Sequence, residues 1–220
     1  MDPETNKLIF IYVTVTRGTG SKILQEAKRS GLSGGTVFMG INIFKSPILN
    51  VLSLNYEKNE IIFIVAEKTA GIMFLEKVSK EFKFHKKNHG TAFVTDVDFV
   101  CGSSCLSCSG FDKNKGDERS MYQCVYIIVE RGKGEDAASA AIEGGAKGAT
   151  IVFARGSGTH EKSRLFNMDI EPEKEIVMVV VSSETTEKVV SNVRSEMEID
   201  KPGNGIIFIQ NLSRVYGVPE

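Results

Sequence analysis

The chain has 220 residues, of which 41% are apolar and 25% charged, so it can bury a core and is neither a disordered tail nor a coiled coil. With 27 basic against 28 acidic residues it carries no global positive field to hold nucleic acid and no one-sided charge to select an acidic membrane surface. The N-terminus lacks the basic-then-apolar order of a secretory signal and no apolar run reaches membrane-spanning length, so a cytoplasmic protein is expected, with its four cysteines reduced or metal-bound.

The first apolar, β-branched run, Leu8 to Val15, suits a strand. Thr16-Arg17-Gly18-Thr19-Gly20-Ser21-Lys22 follows. Its Gly-Ser-Lys order fails the phosphate-loop pattern and predicts a glycine turn into a helix, whose N–H groups could take an anion, with Arg17 and its later counterpart Arg131 as phosphate candidates. Ser21 to Arg29 has helical spacing, and a second strand and a long loop come next. Glu60 to Val65 is almost continuously apolar after its first residue, as expected of a strand inside a covered sheet. Thr69 to Glu81 is a second helix with Ile72, Leu75 and Val78 as its apolar stripe, and a last strand starts at Gly90. His85 and His89 flank a turn and are expected in solvent.

The whole order then recurs. Arg131-Gly132-Lys133-Gly134 echoes Arg17-Gly18-Thr19-Gly20, and Gly145 to Ile151 echoes Gly31 to Val37, both displaced by 114 residues. After the long loop the displacement becomes 115, pairing Glu60 with Glu175, Gly90 with Gly205 and Gly102 with Gly217. Strands at Cys124 to Val129 and Glu175 to Val181 and helices at Glu135 to Glu143 and Glu184 to Met197 are the counterparts. The expected fold class is α+β: two ferredoxin-like βαββαβ domains in tandem, residues 1–102 and 121–220, joined by a Cys/Ser/Gly/Lys linker at 103–120. Helices on one face leave the other face of each apolar sheet bare, so sheets are expected to pack against sheets, within the chain or in a homo-oligomer.

The segments Gly148-Ala149-Thr150-Ile151, Ala154-Arg155-Gly156-Ser157-Gly158 and Pro202-Gly203-Asn204-Gly205-Ile206 resemble the nitrogen-regulatory PII family. Gly34-Gly35-Thr36-Val37 and Gly90 to Val94 are similar in the first copy. The resemblance implies a signalling protein, not an enzyme, that binds an adenine nucleotide or another small-molecule effector at interdomain clefts and modulates a target protein. A membrane transporter is among the targets it implies, with the chain itself not embedded. It places the ligand on Gly34, Gly35, Thr36, Val37, Gly148, Ala149, Thr150, Ile151, Arg155, Gly156, Gly158, Gly203, Asn204 and Gly205. The lysine that PII members carry after the glycine turn is Ile206 here and Thr91 in the first copy, and their arginine-rich tail and tyrosine-bearing loop motif are missing. A phosphate grip of the ordinary PII kind and covalent regulation are therefore not expected.

Two rival readings stand beside this one. Cys101, Cys105 and Cys108 have a C-x3-C-x2-C spacing able to close on a metal or iron–sulfur cluster, whereas Cys124 lies in a strand pattern and is expected in the core. Alternatively, the chain is a ligand-free assembly module. No Ser/His/Asp or Cys/His set recurs in both copies, and His160 is the one histidine near the expected site.

Overall fold

A computed structural model describes residues 7–43, 56–86, 89–102, 121–158, 163–165 and 168–217. The first half runs β1 (Leu8–Thr16), α1 (Gly20–Arg29), β2 (Gly35–Ile43), β3 (Tyr56–Glu67), α2 (Lys68–Glu81) and β4 (Thr91–Val97). A short β5 (Phe99–Cys101) follows. The second half repeats the order as β6 (Tyr122–Glu130), α3 (Gly134–Glu143), β7 (Thr150–Ser157), β10 (Glu173–Ser182), α4 (Ser183–Glu196) and β11 (Ile206–Leu212). The hairpin of β8 (Ser163–Leu165) and β9 (Met168–Ile170) is inserted between β7 and β10. The linker at 103–120, with Cys105 and Cys108, lies outside the described residues, as does His160.

All pairings are antiparallel, and the strand order is β4-β1-β3-β2-β7-β10-β6-β11-β5. The two four-stranded sheets are joined edge to edge, with Gly35 opposite Ser157, Thr36 opposite Gly156 and Val37 opposite Arg155. Strand alternation then divides the apolar residues into three clusters. On β1, Ile9, Ile11, Val13 and Val15 point beneath α1 and α2, into the core of the first half. Val125, Ile127 and Val129 of β6 do the same beneath α3 and α4. The opposite faces meet each other: Phe10, Phe63 and Val65 from one half pack with Ile128, Ile176 and Phe208 from the other. Phe10 stacks on Phe208 at 5.1 Å and on Tyr126 at 6.0 Å. The expected association of sheet on sheet is thus made inside the chain. This explains why β3 and β10 are apolar on both faces, since both are covered. Each aromatic side chain removed from water there is worth roughly 1.5–3 kcal/mol.

Two expectations shift. The buried stripe of α2 is Gly71, Phe74 and Val78, while Ile72 is exposed. Gly71 decides this, because a Cβ there would stand 2.7 Å from Ile9 Cδ1, so the bare backbone lets the helix settle onto β1 one residue away from the stripe expected. The tail of the first copy also crosses over: β5 pairs with β11 and so extends the sheet of the second half.

Candidate interdomain site

The glycine turns before α1 and α3 use left-handed residues, Gly18 at φ +86° and Gly132 at φ +88°, which removes the steric penalty of that conformation. One residue of each pair of glycines then faces a carboxylate. The Gly20 N–H donates to Glu60 Oε2 at 2.6 Å, and the Gly134 N–H donates to Glu175 Oε2 at 2.7 Å. Both acids are buried, Glu60 at 3% and Glu175 at 7% exposure. A Cβ on Gly20 would lie 2.8 Å from the first carboxylate and one on Gly134 2.5 Å from the second, so the turn must be glycine for the acid to fit. The amide of Gly20, which the sequence left open to an outside anion, is already occupied by an internal one.

Glu60 is further engaged across the seam. Arg155 of β7 donates from Nη2 to Glu60 Oε1 at 2.9 Å and from Nε to Glu171 Oε2 at 2.7 Å. Burial pushes the Glu60 carboxyl up, but the Gly20 and Gly18 amides and Arg155 together outweigh it and hold it below the ordinary carboxylate value. The second half differs at the matching place. The repeat equivalent of Arg155 is Ile41, which is 66% exposed, so among the described residues no such cation reaches Glu175 from the other half. Arg131 pairs instead with Glu173 on the surface.

The residues expected to line a ligand cleft fall into three places. Gly35, Thr36, Val37, Arg155 and Gly156 come together at the seam, preceded by Gly34 at φ +116°. A Cβ on Gly35 would meet Phe63 O and Ile64 Cγ1 at 2.7 Å, and one on Gly156 would meet Gly35 O at 2.4 Å, so these glycines allow strand to approach strand. Gly148, Ala149, Thr150 and Ile151 lead into the other end of β7, with open space around Gly148 and Gly158. Gly203, Asn204 and Gly205 form the turn into β11, where Asn204 Nδ2 donates to Met197 O and Glu198 O and a Cβ on Gly205 would stand 2.6 Å from Ile128 O.

Sequence reasoning missed Glu60 and Glu175 as site residues, although the same acid opening the third strand of both copies was the signal. It also missed a half-open depression beside the seam lined by Arg131, Phe153, Ala154, Glu173 and Lys174. Phe153 is 72% exposed there. Cys101 is wholly buried in the core of the second half, away from solvent, and no cluster of metal-binding side chains occurs among the described residues. No helix among the described residues is long and apolar enough to cross a membrane.

The architecture is thus a tandem pair of ferredoxin-like domains, each helix-covered outside and joined face to face. Residues 122–219 match the family model described as Nitrogen regulatory protein P-II, so the second half of the chain is a PII-like domain. Among solved structures, the crystal structure of Arabidopsis thaliana PII bound to citrate is similar at 22% identity and a TM-score of 0.34, over 43% of this chain and 77% of that one. No curated protein sequence matches the chain.

Proposed function

We propose that the chain is a cytoplasmic regulatory protein of the PII type that binds an adenine nucleotide, or a metabolite of similar size and charge, where its two halves meet, and thereby alters its grip on a target protein. The observation that carries the reading is the placement of Arg155-Gly156, within the PII-matching half, at the seam with the first half. The adjacent depression is lined by Arg131, paired there with Glu173, and by the buried Lys174, so a phosphate would bind by displacing Glu173 from Arg131. No chemical step is needed. The ligand must favour one arrangement of the surrounding loops over another, since equal affinity for both shifts nothing.

Calorimetric titration and thermal-shift measurement with ATP, ADP and AMP test this. Binding heat and a raised Tm are expected in the parent chain and weakened in Arg131→Gln. Gly148→Tyr is a gentler steric probe of the expected cleft than any change at Gly205, because Gly148 borders open space whereas Gly205 sits against the backbone of β6. Absence of both heat and thermal shift with all three nucleotides at millimolar concentration overturns the reading.

A further inference from the structure

The near-balance of charge over the whole chain hides a division between its halves. Residues 20–29 and 68–86, which form α1, α2 and the turn after it, hold eight basic residues against three acidic. Residues 134–143 and 183–201, their equivalents by the displacements of 114 and 115, hold three basic residues against eight acidic. The surplus is equal in size and opposite in sign. Position by position, Lys22 is matched by Asp136, Arg29 by Glu143 and Lys83 by Glu198, and all six are exposed.

Ion pairs within each face do not cancel the surplus. Glu26 lies 2.5 Å from Lys77 and 3.8 Å from Arg29, while Lys22, Lys28, Lys80, Lys83 and Lys86 are exposed around them. In the other half Arg194 pairs with Asp200 and Lys201 with Glu198, while Glu135, Asp136, Glu143, Glu184 and Glu196 are exposed. The fold sets the two faces back to back. The layer holding Phe10, Phe63 and Phe208 lies between the sheets, and each helix pair covers the outer side of its own sheet. The chain is thus strongly polarised although its net charge is only −1.

We propose that the chain associates with further copies of itself head to tail, the basic α1–α2 face of one copy seated on the acidic α3–α4 face of the next. Charge complementarity names the occupant, because each face finds its opposite on the same molecule, built on the equivalent helix pair and so of similar extent. A foreign polyanion would use the basic face alone and leave the acidic surplus without a role. With a net charge near zero, approaching copies are not held apart by long-range repulsion. Met73 on the basic face, 66% exposed, and Ile142 on the acidic face, 49% exposed, add apolar surface among the charges. The two faces point away from each other, so the contact is heterologous, does not close in a pair and builds an open row. This inference goes beyond the ligand reading and stands without it.

Sedimentation velocity of the full chain over a concentration series tests it, at about 0.01 M and about 0.3 M salt, where the Debye length is about 30 Å and about 6 Å. Species larger than a dimer are expected at the lower salt, with an apparent Kd weakened about tenfold or more at the higher. The repeat supplies replacements that the fold accepts: Lys22→Asp, Arg29→Glu and Lys83→Glu together in one chain, and Asp136→Lys, Glu143→Arg and Glu198→Lys together in another. Lys83 and Glu198 share the left-handed backbone, at φ +58° and +49°, so that position already carries either residue. Each triple variant has one face made nearly neutral and should be monomeric alone, with a cooperative thermal melt. An equimolar mixture of the two should form one-to-one heterodimers, since each chain contributes its one unaltered face. A parent chain that stays monomeric at low salt, or association that strengthens with salt, overturns the proposal without recourse to any variant. Self-association retained by either triple variant, or a mixture of folded variants that stays monomeric, overturns it as well.

Discussion

Replacing Arg155 by alanine removes one of the donors that hold the buried Glu60 carboxylate while leaving the Gly20 and Gly18 amides in place. Breaking a fully buried ion pair by deleting one partner costs about 3–5 kcal/mol, and an exposed pair is worth about 0–1 kcal/mol. Arg155 is 30% exposed and Glu60 keeps its amide bonds, so the loss should fall between these limits, at about 2 kcal/mol near neutral pH. With an m-value of about 2 kcal/mol/M, the urea midpoint should fall by about 1 M. Arg131→Ala is the control, because its pair with Glu173 is 60% and 64% exposed and should cost less than about 1 kcal/mol. The pH dependence has a definite sign. Glu60 is held below its unfolded value, so its contribution is fully present above the ordinary carboxylate range and is lost as pH falls through the folded value. The gap between parent and Arg155→Ala should therefore narrow as Glu60 is protonated in acid. A loss no larger than that of Arg131→Ala, or a gap that persists undiminished at the lowest pH where both chains remain folded, refutes the assignment of Arg155 as the tie between the halves.

In the layer between the sheets, Phe208→Ala should cost about 3–5 kcal/mol by chemical denaturation, since the ring is wholly buried against Tyr126 and Phe10. Phe93→Ala should cost less than about 1.5 kcal/mol at its half-exposed equivalent; equal costs would contradict the asymmetry between the two edges. Gly35→Ala should be strongly destabilising, because its Cβ meets backbone at 2.7 Å, whereas Gly148→Ala meets nothing within 4 Å and should be close to neutral in thermal melting. In a chain carrying Cys105→Ser and Cys108→Ser, Cys101 and Cys124 should resist Ellman's reagent while folded and react together in denaturant, both being buried and the Cys124 thiol being pushed up by its burial. Rapid reaction of Cys101 in the native chain would reopen a metal or redox role for it.

Much of the fold was legible because it rests on short-range patterns. Glycine turns, apolar runs and a repeated register located both helices and the first strand of each half within two residues, whereas the third strand of the first half starts at Tyr56, four residues before the expected Glu60, and the second strands were legible only by their place in the order. The α2 stripe was misplaced because a glycine contributes no hydrophobicity to a periodicity count, yet Gly71 is what lets that helix approach β1. Glu60 and Glu175 were visible as repeated acids, but a carboxylate at the head of a strand gives no sign of the helix end 40 or 41 residues away that it will reach.

The amino-acid order alone determined that two like units exist, that each has one helix-covered face, and that its sheet is too apolar to stay bare, because these follow from local spacing and the transfer of side chains from water. Only the tertiary structure decided that the bare faces cover each other, that Arg155 crosses to Glu60, and that β5 joins the sheet of the other half. Those outcomes depend on which strand edges and charges meet across long chain separations, and no window of neighbouring residues carries that information.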